Sequence, residues 1–199
     1  FEIEKKLLLY WEEKQKEHEN LEIVWGNALK QLEDRVLKLG EYKILANLPY
    51  QITSFALRTF LELENKPERI IVMVQKEVAD RMCAKAGDMS VLSVSVQYYG
   101  TPRIVTKVKK GSFWPAPKVD SAVVAIENIV SNAEVDKRFF EIVRAGFSSK
   151  RKQLAKNISN VLGIQEKIIR DALSSIVNND RVRAEELSVE DWKELVEKI

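Results

Sequence analysis

Asn47-Leu48-Pro49-Tyr50 closes an apolar run, Lys43-Ile44-Leu45-Ala46, and opens an amphipathic segment from Ser54 to Leu63. A turn of this composition, leaving a buried strand, is suited to holding a planar ring that carries an amine. The Asn47 side-chain oxygen and the carbonyl just before Pro49 can both accept hydrogen bonds from one exocyclic amine, and Tyr50 offers a face for stacking. Held in that way, the amine would aim its lone pair at an electrophile. The same residues also suit a plain turn in which Pro49 fixes φ and Tyr50 fills a gap. Farther on, Phe113-Trp114-Pro115-Ala116-Pro117 places two prolines just after two aromatics and just before the β-branched run Val119 to Ile126. A loop so stiffened can hold an aromatic wall against a flipped base opposite Tyr50, or it can cover a sheet edge.

Charge marks a third candidate. Between Asp136 and Asn160 seven basic residues face two acids, whereas between Asp180 and Ile199 seven acids face four bases, so the net charge of +2 hides an asymmetry. Ser148-Ser149-Lys150-Arg151-Lys152 reads as the start of a helix, where cations oppose the macrodipole. Phosphates, which helix N-termini and cations both attract, would offset that penalty. A solvated basic face is the other reading.

The elements that must position these groups alternate as in an α/β sheet. Phe1 to Ile3 reads as the end of a strand, Lys5 to Glu19 as a charged helix, and Leu21 to Trp25 as a short strand ending at Gly26-Asn27. Lys43 to Leu48 is the next strand, followed by a helix from Ser54 with Phe55, Leu57, Phe60 and Leu61 as its apolar side. Arg69 to Val74 is nearly continuous in apolar residues, as expected of a strand covered on both faces. Glu77 to Ala86 reads as a helix stopped by Gly87. Ser90 to Tyr99 alternates Val and Ser in a way that permits either strand or helix. Arg103 to Lys109 and Val119 to Ile126 suit an antiparallel pair. From Asp136 the pattern is helical: Lys137 to Ala145, Lys150 to Leu162, Gln165 to Val177 and Val189 to Ile199, the last with Ser188 as N-cap and Asp191 as its reciprocal partner. A boundary near Ser131-Asn132-Ala133 thus divides a sheet domain, 1–131, from a small all-helical domain, 132–199.

Composition removes several function classes. The 199 residues, 45% hydrophobic and 31% charged, describe an ordinary soluble globular protein. No apolar run approaches the roughly 20 residues that span a bilayer, and no secretory signal pattern is present. Cys83 is the single cysteine, which excludes an internal disulfide framework and suits a reducing cytoplasm. Its neighbours Met82 and Ala84 point to a packed thiol. His18, the single histidine, lies in the charged stretch Glu12 to Asn20 and reads as a solvated helix residue. One His and one Cys are too few for a zinc site.

Four segments together, in this order, carry a resemblance: Asn47 to Tyr50, Val74-Gln75-Lys76-Glu77-Val78-Ala79-Asp80-Arg81, Phe113 to Val124, and Phe147-Ser148-Ser149-Lys150-Arg151-Lys152-Gln153-Leu154. The chain resembles the ribosomal RNA adenine N6,N6-dimethyltransferases, most closely the bacterial KsgA type acting on small-subunit rRNA, over essentially its whole length. The resemblance implies a Rossmann-like domain followed by a small helical one, with Ser90 to Tyr99 mainly helix. It implies transfer of methyl groups from S-adenosylmethionine to the exocyclic nitrogens of two adjacent adenosines. The implied partners are small-subunit rRNA and the immature small subunit, with a monomer working in the cytoplasm and no membrane.

Residue by residue, the resemblance makes Asn47 and the Leu48 and Pro49 backbone the receivers of the adenine amine, Tyr50 the stacking face and Phe113 the second aromatic of the pocket. Glu2 matches the acidic residue that binds the cofactor ribose hydroxyls. Asn27 falls where the family usually has Asp against the cofactor's adenine amine, and Asn47 also borders the cofactor. Lys150, Arg151 and Lys152 would contact rRNA phosphates, orienting more than reading sequence. The family's glycine-rich cofactor loop has no counterpart here, since the seven glycines include no closely spaced pair. Phe1 reads as the middle of a longer pattern, with that loop and the central first strand expected before it. The expectation is a gap between Phe1 to Ile3 and Lys43 to Leu48, and weak or absent cofactor binding by the chain as given. A related large-subunit methyltransferase of the macrolide-resistance type, and a noncatalytic rRNA-binding assembly factor using the same surfaces, are the alternatives.

Overall fold

The computed structural model describes residues 1–130 and 136–199. The expected boundary at Ser131-Asn132-Ala133 lies outside the described residues. A short 3₁₀ turn, Lys5–Leu7, leads into α1 (Leu8–Glu17), which buries no residue and ends at exposed His18. Leu21 to Trp25 does not form the expected strand. Trp25 makes a single parallel bridge to Glu2, and the chain then turns into α2 (Ala28–Val36), a helix additional to those expected from the sequence. Its start was legible at Asn27, whose side-chain oxygen accepts from the Leu29 N–H at 2.9 Å. Leu32 and Val36 are its buried face.

Among the described residues four strands make the sheet: β1 (Lys43–Asn47), β2 (Arg69–Gln75), β3 (Thr101–Val108) and β4 (Ser121–Glu127), in the order β1-β2-β4-β3. β1 and β2 are parallel, joined by α3 (Thr53–Glu62), as a crossover connection requires. β4 inserts antiparallel between β2 and the edge strand β3. The buried face of α3 is Ala56, Leu57, Phe60 and Leu61; Phe55, expected there, projects away from it and is 63% exposed. One-residue spacing decides this, because Phe55 falls about 100° around the helix from Ala56.

α4 (Lys76–Met82) begins as β2 ends and stops four residues earlier than Ala86, with Cys83 as its C-cap; Gly87, at φ +106°, lies in the turn beyond. α5 (Val91–Tyr99) is the helix that the family resemblance implied, nucleated by Ser90 and Ser93 in a reciprocal capping box. Buried on Ser93, Val94, Val96, Tyr98 and Tyr99, it joins the sheet unit to the helices.

Those helices are α6 (Asp136–Gly146), α7 (Leu154–Leu162), α8 (Glu166–Val177) and α9 (Val189–Lys198). α9 carries the expected Ser188–Asp191 capping box. Tyr98 and Phe139 pack ring to ring at 4.2 Å, and Tyr99 stacks on Phe140 at 5.7 Å, so the apolar core runs on from the sheet into the helices. No helix among the described residues is long and apolar enough to cross a membrane.

Candidate active site

Asn47 is the last residue of β1, paired in register with Met73 of β2, and its exposed side chain stands at the carboxyl edge of the two parallel strands. Ligands of open α/β sheets settle at this edge. The chain then turns. Leu48 is buried, anchoring the turn in the core, while Pro49 stays exposed. The Pro49 carbonyl accepts from the Ile52 N–H at 3.1 Å and from the Thr53 hydroxyl at 3.4 Å. These bonds close the 3₁₀ turn Tyr50–Ile52 and start α3.

Tyr50 is half-buried, and its hydroxyl lies 2.7 Å from the Ser121 Oγ, 71 positions away at the start of β4. Ser121 pairs with Gln75 on one side and Val108 on the other. Beside it, the Asp120 carbonyl accepts from the Lys76 N–H at 2.9 Å, and the Asp120 carboxylate accepts from the Lys110 N–H at 3.0 Å. Lys110 opens the 3₁₀ turn Lys110–Ser112, and its carbonyl accepts from the N–H of Phe113. Phe113 is half-buried, whereas Trp114 is 98% exposed. The hydrogen bonds therefore link the Tyr50 turn and the Phe113 loop through Asp120 and Ser121. A cavity of about 570 Å³, lined by Gln75, Lys76, Asp80, Lys118, Val119 and Asp120 among others, opens alongside.

Glu2 and Asn27 come together on the other side of β1. The Glu2 N–H donates to the Val24 carbonyl at 3.0 Å, and the Gly26 N–H donates to the Glu2 carbonyl at 2.8 Å. The Glu2 carboxylate accepts from the N–H groups of Ile3 and Glu4, each at 2.8 Å. The Glu4 N–H, opposed by partial desolvation and aided by Ile3, holds its pKa below the ordinary carboxylate value, so the group stays anionic. A fixed carboxylate fits vicinal ribose hydroxyls. The Asn27 oxygen is engaged by the Leu29 N–H but keeps a second lone pair, so it fits a further donor such as an adenine amine. A cleft of about 710 Å³ is lined by Phe1 and Val24, near Glu2 and Asn27 in sequence, and by Ile44 and Leu45 of β1. Leu45 is 72% exposed beside it.

Lys150, Arg151 and Lys152 do not begin a helix. They occupy the turn between α6 and α7, all exposed, and α7 starts only at Leu154. The macrodipole penalty expected of them therefore falls on residues outside the helix. The turn is held from beneath by Asn157, whose buried amide donates to the carbonyls of Gly146 and Ser149 at 2.6 and 2.9 Å. Its far end is held by Arg170, which donates to the Gln153 side chain at 2.8 Å while pairing with Glu166 and Asp180. Sequence reading missed Asn157, Arg170, Asp120 and Ser121. A polar Asn on the buried side of an amphipathic helix was the available signal for the first.

A profile of the family described as ribosomal RNA adenine dimethylase matches residues 1–199. The chain belongs to this family. A relative from Dehalococcoides mccartyi, named ribosomal RNA small subunit methyltransferase A, is 41% identical over 198 residues, covering 98% of this chain and 68% of the relative. Among solved structures, a dimethyladenosine transferase from Plasmodium falciparum superposes with a TM-score of 0.78 at 24% identity, covering 98% of this chain and 78% of that one. A 23S rRNA methyltransferase, ErmE, superposes at 0.74 with 22% identity, covering 99% and 79%. The ribosomal RNA adenine dimethylase chain thus has the Rossmann-like α/β fold of these enzymes.

Proposed function

We propose that the protein is an S-adenosylmethionine-dependent methyltransferase that dimethylates the exocyclic amines of two adjacent adenosines in small-subunit rRNA, acting on the immature subunit as a cytoplasmic monomer. The observation that carries this reading is the Asn47–Tyr50 turn at the carboxyl edge of β1, in a chain whose membership of the family extends over its full length. Residues 1–131 serve as the catalytic unit and 132–199 as the rRNA-binding unit. The relatives' small-subunit name favours that substrate over large-subunit rRNA.

Bound S-adenosylmethionine supplies an electrophilic methyl group. Glu2 holds its ribose hydroxyls, Asn27 its adenine amine, and Asn47 borders it. The target amine is a poor nucleophile because its lone pair is delocalised into the ring. Asn47 and the carbonyl preceding Pro49 accept its two protons, favouring a more tetrahedral nitrogen, while Tyr50 and Phe113 hold the base plane. No protein base is needed before transfer, because the product cation is acidic enough to release its proton to water. Lys150, Arg151 and Lys152 take phosphates and set orientation.

Mass spectrometry of small-subunit particles treated with the enzyme and cofactor tests this. Dimethyladenosine at two adjacent positions is the expected result. The same product on large-subunit RNA alone would move the substrate, and tight particle binding without any product, by protein that calorimetry shows to bind S-adenosylmethionine, would identify a noncatalytic assembly factor.

A further inference from the structure

Ser121 is fully buried at the head of a central strand, with buried Ala122 and Val124 following it. Alanine would satisfy that packing, so its hydroxyl calls for an explanation: a buried polar group without a partner is costly. Its partner is the phenol of Tyr50, at 2.7 Å. The backbone of Ser121 is held by β2 and β3 together. A tyrosine ring has two free torsions, and anchoring its oxygen to such a strand restricts both. Asp120, one residue earlier, anchors the start of the Phe113 loop through Lys110 at 3.0 Å and the head of α4 through Lys76 at 2.9 Å. Both aromatic residues of the site thus take their position from one dipeptide, which is tied to three elements far apart in sequence.

We propose that Asp120 and Ser121 are positioning residues for methyl transfer: Ser121 sets the plane of the Tyr50 ring and Asp120 sets the approach of Phe113. The inference rests on the reading that Tyr50 and Phe113 flank the target base. Its signature is a loss in turnover rather than in RNA affinity, because the dipeptide acts on the orientation of a base already delivered by the basic turn.

The test is steady-state methylation of small-subunit particles by Ser121→Ala, Tyr50→Phe and the double variant, with melting curves recorded alongside. Each single change is expected to lower kcat about fivefold, the loss of one neutral hydrogen bond, with KM for the particle within roughly twofold. The double variant loses no more than either single one, because both remove the same bond. Tyr50→Phe breaks the bond from the half-exposed side, so the test survives if Ser121→Ala folds poorly. Asp120→Asn, which keeps an acceptor, retains most activity, while Asp120→Ala falls by a similar factor. Wild-type kcat for both Ser121→Ala and Tyr50→Phe overturns the role of Ser121, as does a double variant whose loss is the product of the two. Equal losses for Asp120→Asn and Asp120→Ala overturn the role of Asp120. Tyr50→Ala separates the two levels: full activity there sinks the stacking role of Tyr50 itself, whereas an inactive Tyr50→Ala beside active Tyr50→Phe and Ser121→Ala leaves stacking intact and removes only the positioning.

Discussion

Asn47 and Cys83 show how differently two side chains of a site-bearing chain can behave. Asn47 is exposed on a rigid strand end, so replacing it removes chemistry and little packing. Asn47→Ala is expected to abolish methylation while leaving rRNA binding nearly intact, measured by product formation and filter binding in parallel; equal loss of both would contradict its assigned role. Cys83 sits half-buried at the C-terminal end of α4, and desolvation, partly countered by a backbone hydrogen bond at Ile104, raises its thiol pKa. The thiolate is the reactive form, and a raised pKa keeps it scarce at neutral pH. Reaction with a disulfide reagent at pH 8 should therefore be slower in the folded chain than after unfolding in urea, and a faster folded-state reaction would refute the packed-thiol description. The type of Asn47, Tyr50 and Phe113 was readable from sequence because turn chemistry is local. The Tyr50–Ser121 bond was not, because nothing in a period of two or 3.6 residues indicates which strand end meets a residue 71 positions away.

The basic turn is the element where packing and binding meet. Lys150, Arg151 and Lys152 can present their charges only because Asn157 secures the carbonyls beneath them and Gly146 lets α6 end against α9. A Cβ at Gly146 would lie 2.4 Å from the Trp192 ring and 2.7 Å from Leu154, distances no side chain tolerates. Gly146→Ala should still destabilise the chain, since overpacking costs about 1–3 kcal/mol against the ~1 kcal/mol or less that alanine's better helix propensity returns. Thermal unfolding checks it, and a melting temperature unchanged from the parent would show that α9 yields easily. Asn157→Ala should lose about 1–3 kcal/mol, because a buried carbonyl at Gly146 and a half-buried one at Ser149 lose their donor. Replacing all three cations by alanine should leave stability unchanged but lower rRNA affinity and flatten its dependence on log salt by about one per cation. A slope unaltered in titrations at several salt concentrations would remove this turn from the RNA surface. The helical texture around Leu154 to Leu162 was legible, but its start was not. Lys150 to Lys152 suit a helix by propensity, and the long-range bonds of Asn157 and Arg170 override that local preference.

At the scale of the molecule, the sheet and the helical bundle share one apolar core through Tyr98, Tyr99, Phe139 and Phe140. Phe139 is completely buried, so Phe139→Ala should destabilise the chain by about 3–5 kcal/mol. If urea unfolding showed a loss confined to the helical part, with the sheet's transition unmoved, the shared core would be energetically split. The joint fixes the distance between the Lys150–Lys152 turn and the Asn47–Tyr50 turn, the two surfaces that the proposed function uses together. Sequence by itself determined the α/β class, the helical second half, the capping box at Ser188 and the residue types of the Asn47 to Tyr50 turn, since each depends on residues within one or two turns of each other. Tertiary structure alone decided that β4 enters between β2 and β3, that Phe55 faces away from the core and that Asp120 and Ser121 hydrogen-bond to Lys110 and Tyr50. The physical reason is common to all three: strand order, burial and long-range hydrogen bonds arise from contacts between distant segments, and no local periodicity encodes which segments will meet.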